Sequence, residues 1–208
     1  MTTLVLIAKE PLPGKAKTRL HPPLSLEQAA ELAAASIQDT LAVMAQIPAT
    51  RRIIAFEGNL LPLGSELCEV MTQTTGSLDV RLGAIFDECD GPTVLIGMDT
   101  PQLSVSDLEP AFSAWPSDID AFFGPATDGG FWALGLAEPT GDLLRGVPMS
   151  QGDTGELQLK RLAEAGLRVG MLPALTDVDT IDNARDVAAI APSTVFASTL
   201  ARFTAVER

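Results

Sequence analysis

The stretch Thr2–Ala8 (TTLVLIA) leads directly into Lys9–Leu20 (KEPLPGKAKTRL). The first segment is apolar and rich in β-branched residues, and it stops at prolines and a glycine, which predicts a buried strand followed by a loop. Predicted strands and helices alternate along the rest of the chain, which indicates an α/β fold with a doubly wound, mostly parallel sheet. We therefore expect this loop at the carboxyl edge of that sheet, where open α/β sheets bind ligands.

The loop after this strand concentrates positive charge. Lys9, Lys15, Lys17 and Arg19 are four of the fourteen lysines and arginines of a chain whose formal net charge is −13. Lysine and arginine beside a glycine suit phosphate, which is anionic and accepts several hydrogen bonds. The alternative is a solvated basic turn. We favour a phosphate site because of the position of the loop at the end of the first strand.

Two common phosphate-binding signatures are excluded. A Walker A loop would need glycine at Lys9 and serine or threonine at Ala16, and no G-x-G-x-x-G sequence follows the first strand. The sequence thus gives no support to a P-loop NTPase or to a dinucleotide-binding Rossmann site.

Composition limits the class of protein. The 208 residues, 46% hydrophobic and 20% charged, predict one globular domain over residues 1–208. The acidic net charge argues against nucleic acid or an anionic membrane as the main partner. Cys68 and Cys89 lack C-x-x-C or zinc-site spacing, so we expect free thiols. The sequence shows neither a signal-peptide core nor a membrane-spanning run, so we predict a cytoplasmic protein.

Acidic residues follow several predicted strands. Asp99 follows the strand at 92–96, Asp128 follows the strand at 120–123, and Asp177 and Asp179 come after the strand at 168–172. Because the ends of parallel strands meet at one edge, these carboxylates are expected to converge, and converging carboxylates repel unless a cation lies between them. Oxygen ligands of this kind suit Mg²⁺ or Mn²⁺, with phosphate oxygens completing the shell.

Three of these carboxylates also have a structural alternative. Asp128 precedes two glycines and fits a plain hairpin turn, and Asp177 fits a helix cap or an Asx turn. For these two residues the structural and functional interpretations weigh about equally. The structural alternative is weaker for Asp99, because a proline two residues later keeps Thr100 extended and Ser104 can cap the next helix.

Five segments together resemble a largely uncharacterised bacterial family that is related to nucleotide-diphospho-sugar transferases. They are Ala8–Leu20, Gln73–Arg81, Gly97–Pro101, Gly124–Gly130 and Asp177–Thr180. The segments span nearly the whole chain in order, and their combination is what makes the resemblance specific. Some members of the family are described as glycosyltransferases of modified-sugar pathways.

The resemblance implies a GT-A-like fold, a Rossmann-like three-layer sandwich shared with molybdenum-cofactor guanylyl- and cytidylyltransferases and with phospholactate guanylyltransferase. It implies that Asp99 and Asp179 hold a divalent metal, Mg²⁺ or Mn²⁺, and that Asp128, Gly129 and Gly130 line the acceptor side. The residues expected to contact the nucleotide or its phosphates are Ala8, Lys9, Gly14, Lys15, Lys17, Thr18, Arg19, Gln73, Gly76 and Thr100.

The leading functional prediction is metal-dependent transfer from a nucleotide-activated donor to a small-molecule acceptor, with Lys17, Arg19, Asp99 and Asp128 as catalytic residues. In a glycosyltransferase, a nucleoside diphosphate leaves the sugar and Asp128 orients the acceptor hydroxyl or acts as general base. The alternative is a guanylyl- or cytidylyltransferase that uses a nucleoside triphosphate and releases pyrophosphate. A third hypothesis is a nucleotide-binding protein without turnover.

Overall fold

The computed structural model of the protein describes residues 2–113 and 115–204. These residues form a seven-stranded sheet in the order β3-β2-β1-β4-β6-β5-β7. Strand β6 runs antiparallel to its neighbours β4 and β5, while all other paired strands are parallel. The predicted α/β fold with a mostly parallel sheet is confirmed. The strands are β1 (Thr3–Lys9), β2 (Arg51–Glu57), β3 (Glu69–Thr72), β4 (Thr93–Ile96), β5 (Ala121–Pro125), β6 (Phe131–Leu136) and β7 (Val169–Met171).

Helices cover both faces of the sheet and make it the middle of three layers. Successive side chains of β1 point to opposite faces, so Leu6 joins the core beneath α1 and α3, whereas Val5 joins the core beneath α2 and α4. The helices are α1 (Leu26–Met44), α2 (Leu78–Asp87), α3 (Val105–Phe112), α4 (Thr154–Glu164), α5 (Ile181–Ile190) and α6 (Val195–Thr204).

The last two helices pack on the outer side of α1. Leu32 of α1 lies in a third apolar cluster with Val187 of α5 and Phe196 of α6. The carboxylate of Asp39 accepts hydrogen bonds from the backbone N–H groups of Val195 and Phe196 at 2.9 and 2.8 Å. This carboxylate pairs two of the N–H groups that a helix start leaves free, so α1 fixes where α6 begins.

Local signals gave accurate helix starts. The sequence Ser25–Gln28 has the pattern of a capping box, and the box is present at the start of α1, with Gln28 N–H donating to Ser25 Oγ and Ser25 N–H donating to Gln28 Oε1. Ser104 N–H likewise donates to the carboxylate of Asp107 at the start of α3. Trp115 is half-buried and packs edge-on against Phe122.

Cys68 and Cys89 are free thiols, as predicted. Within residues 2–113 and 115–204, no helix combines the length and the apolar character needed to cross a membrane. The prediction that the chain forms one domain stays a prediction.

Candidate active site

The loop after β1 is anchored by buried residues on either side of Lys17. Ala16 and Leu20 are both buried, and a short 3₁₀ turn over Thr18–Leu20 follows Lys17 directly. Lys17 itself has φ 50° and ψ 37°, a left-handed conformation that is uncommon for residues other than glycine. With its backbone turned in this way, the Lys17 side chain is only 8% exposed. The loop therefore directs one lysine into the protein.

Lys17 joins two aspartates from distant parts of the chain. Its Nζ lies 2.8 Å from Oδ1 of Asp99, which follows β4, and 3.1 Å from Oδ1 of Asp179, which precedes α5. Arg19 Nη2 lies 2.8 Å from the other oxygen of Asp179. Burial alone lowers the pKa of Lys17, but the charges of Asp99 and Asp179 outweigh it and leave that pKa raised. Basic and acidic side chains thus meet at one edge of the sheet.

The backbone before α5 is fixed against the end of β4. Val178 is 1% exposed, and its N–H donates to the carbonyl oxygen of Asp99 at 2.9 Å. The cap of α5 is Thr180, whose Oγ1 accepts from the N–H of Asn183. Asp177 is therefore not the cap of α5, and the structural alternative considered for it does not hold for that helix.

Asp177 belongs to the same acidic cluster as Asp99, Asp128 and Asp179. Burial raises the pKa of its carboxyl group to about 7, with further contributions from the negative charges of Asp99 and Asp128 and an opposing one from Lys17. Four aspartates thus face two basic side chains at this edge. The sequence weighed a cap or an Asx turn and a role in the site equally for Asp177, and the structure places its carboxyl group among these charges.

Asp128 lies in the hairpin loop that joins β5 to β6. Its Oδ1 accepts a hydrogen bond from the N–H of Gly130 at 2.9 Å, which is the turn interaction that we considered as an alternative. Its charge also acts on Asp177. Gly129 has φ 90°, and a Cβ atom added there would lie 1.9 Å from the carbonyl oxygen of Gly152. The loop is therefore a tight turn that brings a carboxylate to the acidic cluster.

Several other residues in and next to the loop after β1 face solvent. Lys9, Gly14 and Lys15 are exposed, and Gly14 has φ 74°. Among the ion pairs of residues 2–113 and 115–204, none involves Lys9 or Lys15. Both ammonium groups are thus accessible to an anion from solution. Thr18 is also exposed on this loop.

The side-chain amide of Gln73 forms hydrogen bonds within the protein. Its Nε2 donates to the carbonyl oxygens of Ala8 and Ala55 at 2.8 and 2.9 Å, and its Oε1 accepts from Arg81 Nη1 at 3.0 Å. The amide thereby holds together the carboxyl ends of β1 and β2. Its predicted contact with a nucleotide, like that of Ala8 and of nearby Gly76, stays a prediction.

Thr100 was also predicted to contact the nucleotide. It is 1% exposed, and its Oγ1 has no hydrogen-bond partner among the described residues. A buried hydroxyl without a partner is costly. The predicted contact of Thr100 with a nucleotide stays a prediction.

The side chains at this edge fit a divalent cation. Asp99 Oδ1 is buried, and its ion-pair partner is Lys17 Nζ at 2.8 Å. No group of three or more histidine, cysteine, aspartate or glutamate side chains among residues 2–113 and 115–204 has the arrangement of a complete metal site. Two carboxylates alone suit an ion such as Mg²⁺, which takes its other ligands from phosphate and water. The residues present therefore fit the predicted metal.

Comparison with protein families shows the family to which this chain belongs. The family described as "Uncharacterized protein conserved in bacteria (DUF2064)" matches residues 29–151. The chain belongs to this family. Comparison with the curated proteins gave no match.

Solved structures share the fold. A candidate nucleotide-diphospho-sugar transferase from Desulfovibrio desulfuricans G20 is 25% identical, with a TM-score of 0.84 over 99% of this chain and 95% of that one. CMP:2-keto-3-deoxy-manno-octonic acid synthetase complexed with CTP is 15% identical, with a TM-score of 0.53 over 92% of this chain and 98% of that one.

A third structure contains a metal. Glucosyl-3-phosphoglycerate synthase from Mycobacterium tuberculosis, in complex with Mn²⁺, uridine diphosphate and glucosyl-3-phosphoglycerate, is 11% identical, with a TM-score of 0.51 over 97% of this chain and 78% of that one. The family match and the likeness to the Desulfovibrio desulfuricans structure confirm the predicted family relationship, and that likeness supports the prediction of a transferase. All three likenesses confirm the predicted fold. The roles assigned to individual site residues stay predictions.

Proposed function

We propose that this protein is a metal-dependent glycosyltransferase of the GT-A type that acts on a nucleoside-diphospho-sugar. The observation that carries the proposal is the ion-pair group of Lys17, Asp99 and Asp179, in which three distant segments meet at the edge of the sheet where α/β proteins of this kind bind ligands. Such a group supplies both parts of a diphosphate site, carboxylates for a cation and basic side chains for phosphate oxygens. The family relationship to nucleotide-diphospho-sugar transferases agrees with this chemistry.

In the proposed reaction the donor diphosphate lies between the basic loop and the acidic edge. A Mg²⁺ or Mn²⁺ held by Asp99 and Asp179 would supply positive charge to the diphosphate. Lys15, Lys17 and Arg19 bind the phosphate oxygens and stabilise the negative charge that develops on the leaving nucleoside diphosphate.

The acceptor is a small molecule with a hydroxyl group, bound beside Asp128, Gly129 and Gly130. Its oxygen attacks the anomeric carbon, the bond from that carbon to the phosphate oxygen breaks, and the electron pair stays on the diphosphate. The proton of the hydroxyl passes to the carboxylate of Asp128, whose Oδ1 is oriented by the N–H of Gly130.

A second candidate is nucleotidyl transfer, which the likeness in fold to the CTP-bound synthetase favours. In that reaction an anionic oxygen of the substrate attacks the α-phosphorus of a nucleoside triphosphate, the bond to the bridging oxygen breaks, and pyrophosphate leaves. No proton has to be removed from a phosphate oxygen, so Asp128 would be less critical. The same basic loop and carboxylates would serve this reaction.

The two candidates release different products. We would incubate the protein with Mn²⁺ and a panel of nucleoside-diphospho-sugars, and separately with a panel of nucleoside triphosphates, each with a mixture of sugars, sugar phosphates and small alcohols. Release of a nucleoside diphosphate supports the glycosyltransferase, and release of pyrophosphate supports the nucleotidyltransferase. Asp99→Asn serves as the control. Binding of nucleotide with no product from either panel would contradict both and support a non-catalytic nucleotide-binding protein.

A further inference from the structure

Lys17 occupies the position between the two carboxylates that a metal would need. Its Nζ is 2.8 Å from Asp99 Oδ1 and 3.1 Å from Asp179 Oδ1, and Arg19 Nη2 is 2.8 Å from Asp179 Oδ2. Both oxygens of Asp179 are thus paired with basic side chains. Mg²⁺ binds carboxylate oxygens at about 2.1 Å, so an ion held by both aspartates would lie in contact range of the ammonium. Two cations at that separation in a partly buried site repel strongly.

The two basic side chains differ in how readily they can leave. The Arg19 side chain is 72% exposed and can exchange its partner for water, whereas the Lys17 side chain is 8% exposed. A buried ammonium that loses its carboxylates without gaining another anion carries a large desolvation cost. Lys17 therefore needs a replacement anion before it releases Asp99 and Asp179. Phosphate groups bound by the same loop would be such a replacement.

We propose that Lys17 prevents free divalent cations from binding to Asp99 and Asp179. It releases the two carboxylates only when nucleotide phosphates pair with its ammonium group. This inference rests on the proposed function, because it requires that these aspartates hold a metal. In the nucleotide-free state two carboxylates are balanced by Lys17 and Arg19. In the loaded state the cation balances the carboxylates, and the phosphates balance the basic side chains. The site thereby selects the metal–nucleotide complex over the free metal ion.

The test is a titration with Mn²⁺ alone, in which binding is measured as the loss of the free-ion signal in electron paramagnetic resonance. Lys17→Met keeps an unbranched side chain and removes the charge, so it is expected to bind Mn²⁺ about tenfold or more tightly than the wild type, within the usual range of coupling between sites. Lys15→Met is the matched control, since Lys15 lies in the same loop and has no ion pair with either aspartate. Its affinity for Mn²⁺ should stay within about twofold of the wild-type value, because an exposed charge is well screened.

Two further measurements guard against a folding defect. Mn²⁺ alone should raise the melting temperature of Lys17→Met and leave that of the wild type unchanged. Arg19→Gln, which frees one oxygen of Asp179 at an exposed position, should bind Mn²⁺ more tightly than the wild type but less tightly than Lys17→Met.

The outcomes separate this inference from the proposed function. If the wild type alone binds Mn²⁺ as tightly as Lys17→Met does, the inference is wrong and the proposed function survives. The same holds if Lys17→Met binds no Mn²⁺ alone while the wild type binds it together with uridine diphosphate or inorganic pyrophosphate. If neither protein binds Mn²⁺ under any of these conditions, both the inference and the metal-dependent function are overturned.

Discussion

Replacement of Gly129 by alanine tests the geometry of the loop between β5 and β6, which we propose lines the acceptor site. Gly129 has φ 90°, and the new Cβ atom would lie 1.9 Å from the carbonyl oxygen of Gly152 and 2.7 Å from its carbonyl carbon. The neighbouring atoms belong to backbone, so the two loops have to move apart. Gly166 is the matched control: it has φ 75°, but a Cβ atom there would have nothing within 4 Å.

The two substitutions share the cost of a left-handed backbone and differ in the steric overlap. The left-handed conformation costs about 1–2 kcal/mol for a residue with a Cβ atom. Overpacking adds roughly 1–3 kcal/mol. We therefore expect Gly166→Ala to lower the free energy of unfolding by about 1 kcal/mol and Gly129→Ala to lower it by about 3 kcal/mol.

Urea denaturation of both variants measures this difference. The slope of the free energy of unfolding against urea concentration should stay unchanged. Because Gly129 adjoins Asp128, the same variant should also lower the rate of transfer to the acceptor, while binding of the nucleotide changes little. Equal destabilisation by the two variants would refute the assigned contact between the loops at Gly129 and Gly152.

Three further predictions concern other contacts. Asp99→Asn and Asp179→Asn should each abolish the rise in melting temperature that Mn²⁺ and a nucleotide produce together, because each removes a proposed ligand; a rise as large as in the wild type would contradict that role. Gln73→Ala removes the bridge between the ends of β1 and β2 and should cost about 1–3 kcal/mol, since buried carbonyl oxygens lose their donors; urea denaturation measures it, and no loss of stability would contradict the bridge. Arg168 lowers the pKa of Asp120 from 3.8 to about 2 through hydrogen bonds and charge, so this pair stabilises the fold above about pH 4 and its contribution is lost as the pH falls towards 2. The difference in melting temperature between wild type and Asp120→Asn should therefore shrink over that range, and a difference that is constant between pH 6 and pH 2 would contradict it.

Local patterns predicted most of the fold. The alternation of apolar segments with capping signals such as Ser25–Gln28 depends on neighbouring residues, so a single sequence is sufficient to read it. The direction of β6 was not specified by its sequence, because an apolar segment such as Phe131–Leu136 fits either direction and the choice depends on pairing with β4 and β5.

The site was predictable in its location and less so in its contacts. The rule that parallel strand ends share one edge predicted that Lys17, Asp99 and Asp179 lie close together, and the structure places them in contact. It could not show that Lys17 lies between the carboxylates, since its side-chain direction depends on the left-handed turn at that residue. The bridging role of Gln73 was equally hidden, because its partner Ala8 is 65 positions away in the chain.

The reversal of β6 limits the movement of the loop that we propose lines the acceptor site. Because β6 starts at the same edge where β5 ends, the connection between them is a hairpin of a few residues, clamped at both ends by paired strands. Such a hairpin has little freedom to swing over a bound molecule, so recognition there depends on side-chain identity. We therefore expect substitutions within residues 126–130 to change the proposed acceptor, while the proposed donor side, built on β1 and β4, stays intact.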